Sequence, residues 1–358
     1  MDQAIFTRYL SGKARIFWQL IICEEVTKSN ATFPNACEIL NRLSLYADIG
    51  VMAYEQLSII DHIKELREKR NAVILAHNYQ RPEVQDIADY TGDSLGLSKM
   101  AAATSADVIV FCGVHFMAET AKILSPEKKV LLPDMKAGCP MANMIKPSQL
   151  QALQDGNPHA KTVCYVNSSA EIKAMSDLCC TSSNAVHIIR QAFDEDDKII
   201  FVPDKHLGNY VSSQVKHEII LWPGYCPTHI KILPEHIHDM KEAFPNAEVL
   251  VHPECYFRVI ELADKALSTG QMLEYVAQSD GMAFIIGTER ELLYRLRKDN
   301  PGKTFYHVTE YAVCPNMKKI TLEKVLASLK HMTGEIMLSD EVIHRAGRSI
   351  REMLKYSQ

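Results

Sequence analysis

Ten cysteines occur in this sequence, yet none stands at Cys-x-x-Cys spacing, and Cys179 and Cys180 are adjacent. The redox, zinc-ribbon and ferredoxin patterns built on that spacing are therefore absent. Runs of basic residues are also lacking, and the formal net charge is −5. A nucleic-acid surface needs clustered Lys and Arg to release counterions, so no nucleic-acid partner is expected. A local positive pocket for a small anionic substrate remains open. Long apolar runs are missing too. The longest near the start, Ile16 to Cys23, is interrupted by Gln19. It is too short to span a bilayer and has no small-residue cleavage site after it. Ten cysteines in 358 residues do not make a secreted disulfide scaffold. The expected place is the reducing cytoplasm, with no membrane partner.

What is present is the balance of a globular protein, 47% hydrophobic against 23% charged, in a chain long enough for two or three domains. Short β-rich runs alternate with helix-like stretches. The runs are Ala72–Ala76, Val108–Phe111, Val130–Leu132, Thr162–Val166, Ile199–Val202, Glu248–Val251, Ala283–Ile286 and Thr304–Val308. That alternation is the βαβ pattern of parallel sheets covered by helices.

The alternation repeats. Tyr79, Asn167 and Glu254 each follow the opening strand of a unit, at spacings of 88 and 87. Ser94, Ser182 and Thr269 each precede a helix-like run at the same two spacings. Cys139, Cys226 and Cys314 close the units at 87 and 88, and they are the only cysteines followed by proline. Three anchor sets on one period predict three α/β domains of one plan around an approximate threefold axis. The expected division is an N-terminal extension over 1–57, repeats over 58–158, 159–245 and 246–330, and C-terminal helices over 331–358. The extension is expected to be partly helical, and the end helices to pack on the first repeat.

In parallel α/β units ligands sit beyond the carboxyl ends of strands, where helix N-termini point free N–H groups. Three such edges facing one axis make one central site. The three Cys-Pro cysteines read as ligands of an iron–sulfur cluster, of zinc, or as buried structural thiols. Three ligands leave one iron of a cluster open, which a Lewis-acid catalyst requires. The other seven cysteines read as packing. The strand ends His77-Asn78-Tyr79, Tyr165-Val166-Asn167 and His252-Pro253-Glu254 bring groups that donate, accept and shuttle protons near neutral pH. Ser94, Ser182 and Thr269 read either as plain N-caps or as hydroxyls aimed at an anion. Lys205 and His206 either add positive charge there or form a solvated turn.

Several ordered motifs resemble one family. They are His77-Asn78-Tyr79, Gly92-Asp93-Ser94-Leu95, Phe116 to Leu124, Ala137-Gly138-Cys139, Tyr165-Val166-Asn167, Thr181-Ser182-Ser183, Pro203-Asp204-Lys205, His252-Pro253-Glu254-Cys255, Ser268-Thr269-Gly270 and Cys314-Pro315-Asn316-Met317. Over about 58–330 the chain is similar to the quinolinate synthase family. The resemblance implies condensation of iminoaspartate with dihydroxyacetone phosphate to quinolinate, with loss of phosphate and water, in de novo NAD biosynthesis. It implies three αβα domains in a triangle around a 4Fe–4S cluster held by Cys139, Cys226 and Cys314 and acting as a Lewis acid. Substrate binding then falls to His77, Ser94, Tyr165, Asn167, Ser182, His252, Pro253, Glu254 and Thr269. Proton movement falls to Tyr79 and Glu254, with His77 and His252. A functional link to aspartate oxidase or aspartate dehydrogenase, as the source of iminoaspartate, is also implied. Residues 1–57 depart from the family pattern and show no chemistry. Two rivals stand beside this reading: another 4Fe–4S hydro-lyase, and a non-catalytic iron–sulfur sensor or carrier.

Overall fold

The first two long apolar runs of each repeat become the two central strands of a four-stranded parallel sheet. This is seen in a computed structural model, which describes residues 58–357. The expected extension over 1–57 lies outside the described residues. The first sheet contains β1 (Ala72–His77), β2 (Tyr90–Gly92), β3 (Val108–Cys112) and β4 (Lys129–Leu131), in the order β2-β1-β3-β4. The second has β5 (Lys161–Tyr165), β6 (Leu178–Cys180), β7 (Ile199–Val202) and β8 (Ile219–Leu221), in the order β6-β5-β7-β8. The third has β9 (Glu248–Val251), β10 (Lys265–Ala266), β11 (Ala283–Gly287) and β12 (Thr304–His307), in the order β10-β9-β11-β12.

All neighbouring strands run parallel, and the three orders are the same. Helices flank the sheets, so the central strands carry continuous apolar runs; all of Val108–Cys112 and Ile199–Val202 is buried. In this order the connections reverse between the first and third strands of each unit. That switch point opens a crevice beyond the strand ends, where an α/β sheet receives its ligand. The three-layer α/β plan expected from the repeats is the one observed.

The units interlock through one helix each. Pro147–Asp155 follows the first sheet in the chain, but its Leu150 packs in the core of the second. Pro234–Ala243 follows the second sheet and sends Ile237 into the core of the third. Leu322–His331 follows the third and packs Val325 and Leu329 against the first, next to β3. Two of these helices begin with proline, whose fixed φ suits a first helical position. Each unit is thus roofed by its predecessor, and the last roofs the first.

The expectation that the C-terminal helices pack on the first repeat needs correction. The helix Leu322–His331 does so. The helix Asp340–Lys355 lies mainly on the second unit, against Ala170–Ala174 and β6, and also touches His115–Leu124 of the first. Its buried stripe Ala346, Ser349, Ile350 and Met353 joins the core around Ile172 and Cys179. The spacing of that stripe shows that one face is buried but not which unit covers it. Among the described residues, no helix is long and apolar enough to cross a membrane.

Candidate active site where the three units meet

One cavity collects residues from all three crevices. His77, Tyr79, Ser94, Tyr165, Asn167, Ser182, His252, Glu254 and Thr269 line it, together with Cys139, Cys226 and Cys314. Pro253 does not; it is buried in the turn between His252 and Glu254. Lys205 and His206 also lie outside the lining.

The strand ends are organised by backbone hydrogen bonds. Tyr79 N–H donates to Nδ1 of His77 at 3.1 Å, and Glu254 N–H donates to Nδ1 of His252 at 3.2 Å. A neutral imidazole whose Nδ1 accepts carries its proton on Nε2. Burial lowers both histidines to about 3, helped by neighbouring basic groups (Lys318 and His229 for His77, His229 and His77 for His252) and opposed by Glu254. As neutral rings at pH 7, both leave an Nε2–H available as a donor.

Glu254 is the junction of the units. Its Oε1 accepts from the Tyr165 phenol at 2.6 Å and from Asn167 Nδ2 at 3.2 Å; its Oε2 faces Nδ1 of His229 at 2.7 Å. Burial alone would raise this carboxyl, but His229, His252 and the Tyr165 hydrogen bond together hold it well below the usual carboxylate range. The ring of His229 stacks on His252 with centroids 4.5 Å apart. The Tyr79 phenol meets Thr288 Oγ1 and lies 3.3 Å from His229 Nε2. Burial, together with the charge of Glu254, pushes both Tyr79 and Tyr165 well above the ordinary phenol value. Within hydrogen-bond reach of one carboxylate, then, stand the Tyr165 phenol, the Asn167 amide and His229, and the Tyr79 phenol joins them through His229.

The hydroxyl set is not a set of caps. Asp93 caps the helix Ser94–Ala103 by accepting from Gly96 N–H, and Ser268 caps Thr269–Gln278 by accepting from Gln271 N–H. Ser94 and Thr269 are therefore first helical residues that line the cavity without serving as caps, at helix starts whose first N–H groups lack intrahelical partners. Asn78 Nδ2 donates to Thr269 Oγ1 at 3.1 Å, tying the first unit to the third. Ser182 stands two residues ahead of Asn184, the cap position of Ala185–Ala192.

Each Cys-Pro opens a short 3-10 turn: Met141–Asn143, His229–Lys231 and Met317–Lys319. Backbone N–H groups from these turns reach the sulfurs, from Met141 and Ala142, from His229, and from Asn316 and Met317. Burial first, then nearby negative charge, pushes the three thiols up, Cys139 to about 12; the charge comes from Glu254 and neighbouring cysteines for Cys139 and Cys226 and from Glu289 for Cys314. A buried thiol triplet supplied with N–H donors suits a cation that takes the place of the thiol protons, so the donor set fits a thiolate-bound metal centre. In addition, Cys226, His229 and Glu254 place ligand atoms within 4.8 Å of one another and could hold a metal ion.

Sequence reasoning does not single out His229 or Thr288. His229 has a signal in hindsight: it is the third residue after Cys226, where the other units carry Ala142 and Met317. Thr288 has none beyond following β11.

Three α/β repeats closing on a buried cavity of ionisable groups and thiols define an enzyme site for a small polar substrate. A family model described as Quinolinate synthetase A protein matches residues 61–355. The protein named quinolinate synthase of Dehalococcoides mccartyi strain CBDB1 is 52% identical over 298 residues, 83% of this chain and 98% of that one. Those so named from Methanosarcina barkeri and from Geobacter sp. strain M21 are 52% and 48% identical, each covering 84% of this chain and 98% of their own length. The chain belongs to the quinolinate synthetase A family of enzymes.

Proposed function

We propose that this chain condenses iminoaspartate with dihydroxyacetone phosphate to quinolinate, releasing phosphate and water, as a step of de novo NAD biosynthesis in the cytoplasm. Iminoaspartate would come from an aspartate oxidase or dehydrogenase. The observation that carries this reading is the convergence on Glu254 of Tyr165 and Asn167 from the second unit and His229 beside Cys226, within the cavity that all three Cys-Pro thiols line.

Cys139, Cys226 and Cys314 would hold a 4Fe–4S cluster. When bound, a cluster on three thiolates supplies Lewis acidity at its remaining iron. The protein's own groups do the rest. Ser94, Thr269 and Ser182, with the N–H groups at the helix starts, receive carboxylates. His77 and His252 donate Nε2–H to substrate oxygens without changing charge. Glu254, held ionised, accepts a proton, and the neutral phenols of Tyr79 and Tyr165 stand ready to donate one. Thr288 and His229 hold the Tyr79 oxygen in place. Condensation, isomerisation and dehydration need only such proton transfers, with no net redox change.

The test is anaerobic turnover. Protein purified without oxygen and given dihydroxyacetone phosphate with iminoaspartate generated in situ should form quinolinate, detected by chromatography. No quinolinate with both substrates present and iron and sulfide bound would refute the proposal.

A further inference from the structure

Glu289 is fully buried and lies just past β11, outside the cavity lining. Its Oε1 accepts Cys314 N–H at 3.0 Å and faces Lys318 Nζ at 2.9 Å, while Oε2 accepts Glu291 N–H at 2.9 Å. The Lys318 side chain, only 12% exposed, donates onward to the main-chain oxygen of Tyr79. The neighbour Thr288 meets the Tyr79 phenol. Tyr79 is therefore gripped at both ends from the Thr288-Glu289 segment, and the same segment fixes the backbone of a cavity cysteine. The equivalent position in the second unit is Asp204, also buried, which receives backbone N–H groups from His206 and Leu207 and lies near that of Cys226. In the first unit it is Val114, where main chain alone makes the link, His115 N–H to the Ala137 oxygen. Only the third unit joins a buried acid to a lysine, and only there does the link reach a phenol.

We propose that Glu289 and Lys318 form a positioning pair that sets Tyr79 and Cys314 in register with each other, an inference that rests on the function proposed above. A buried ion pair is a poor source of stability, because desolvation offsets most of its attraction. Its geometric effect is larger: one oxygen serves the cysteine N–H and the lysine together, so a shift of either is passed to the other. The pair touches no substrate and acts through the two residues it holds.

The experiment compares K318R, K318M and the double variant E289Q/K318M with the parent, all purified anaerobically. Removing both charges avoids an unpaired buried carboxylate, and the amide oxygen that replaces the carboxylate can still accept Cys314 N–H. Iron and sulfide content and the electron paramagnetic resonance of the reduced cluster are recorded first, and kcat is then expressed per cluster. The double variant and K318M should lose on the order of 10–100-fold in kcat, the size expected for a group misplaced by about an ångström. KM should stay within about 2-fold, as when transition-state rather than uniform binding is lost, and the resonance should shift. K318R should keep most of the rate. If the parent makes quinolinate but K318M and the double variant keep full kcat per cluster and an unshifted resonance, the pair is merely structural and the inference is overturned. A parent that makes no quinolinate instead sinks the function proposed above, while a shifted resonance in the variants would still report the hold on Cys314.

Discussion

The phenol of Tyr165 donates to Oε1 of Glu254 at 2.6 Å, across the junction of the second and third units. A carboxylate held ionised in a buried site by such a neighbour can serve as a base without first losing a proton at neutral pH.

Glu254→Gln removes that base while preserving size. Turnover should fall by about 10²–10⁴, the range for a lost acid–base group. Tyr165→Phe should cost less, because Asn167 and His229 still hold the carboxylate. Steady-state rates at matched iron content check both, and an E254Q enzyme with parental kcat would remove Glu254 from the chemistry.

Tyr79→Phe deletes the oxygen that meets Thr288 and His229 but keeps the ring packed on His77, 4.6 Å between centroids. The variant should fold and carry iron normally, yet lose about 10²–10⁴ in kcat. Circular dichroism and iron content report the first expectation and rates the second.

Among the cysteines of the described residues, three should matter for metal. Cys139→Ser, Cys226→Ser and Cys314→Ser should each abolish visible cluster absorption. Alanine at Cys112, Cys164, Cys179 or Cys255, all buried, should leave it. A cluster that survives loss of any of the first three contradicts the ligand set.

Stability should fall in mild acid. His77 and His252 titrate at about 3 when folded against 6.5 for the free side chain. The unfolded chain therefore binds protons first, and stability present above pH 6.5 is lost as pH falls below it. At about pH 5 each contributes a loss near 2 kcal/mol. Thermal melts should show the parent losing more between pH 7 and 5 than H77Q/H252Q. Parallel melting curves would mean the two rings titrate as they do in water.

Eight strands are legible in the sequence because each is a β-rich run, most of them four residues or longer. The edge strands β2, β6, β8 and β10 are not, since two or three residues cannot display a period, and β4, equally short, shows only as the apolar run Val130–Leu132. Site residues that recur in every unit, such as Tyr79, Asn167 and Glu254, are legible because the repeat marks them. His229 and Glu289 escape because their counterparts, Ala142 and Met317 for one, Val114 and Asp204 for the other, share no single chemistry. The capping roles of Asp93 and Ser268 are equally hidden: Ser94 and Thr269 stand one residue away with the same capping ability. The seat of Asp340–Lys355 depends on which unit offers a matching face, and periodicity does not encode that.

The most direct test of the account is Mössbauer spectroscopy of anaerobic, iron-57-enriched protein with and without quinolinate. About four irons and four sulfides per chain are expected. Quinolinate should perturb one iron, because Cys139, Cys226 and Cys314 occupy the other three. Ser94→Ala or Thr269→Ala should weaken that response while leaving the spectrum of the free cluster alone. Four irons that ignore saturating quinolinate, or a chain that holds no cluster under these conditions, would contradict it.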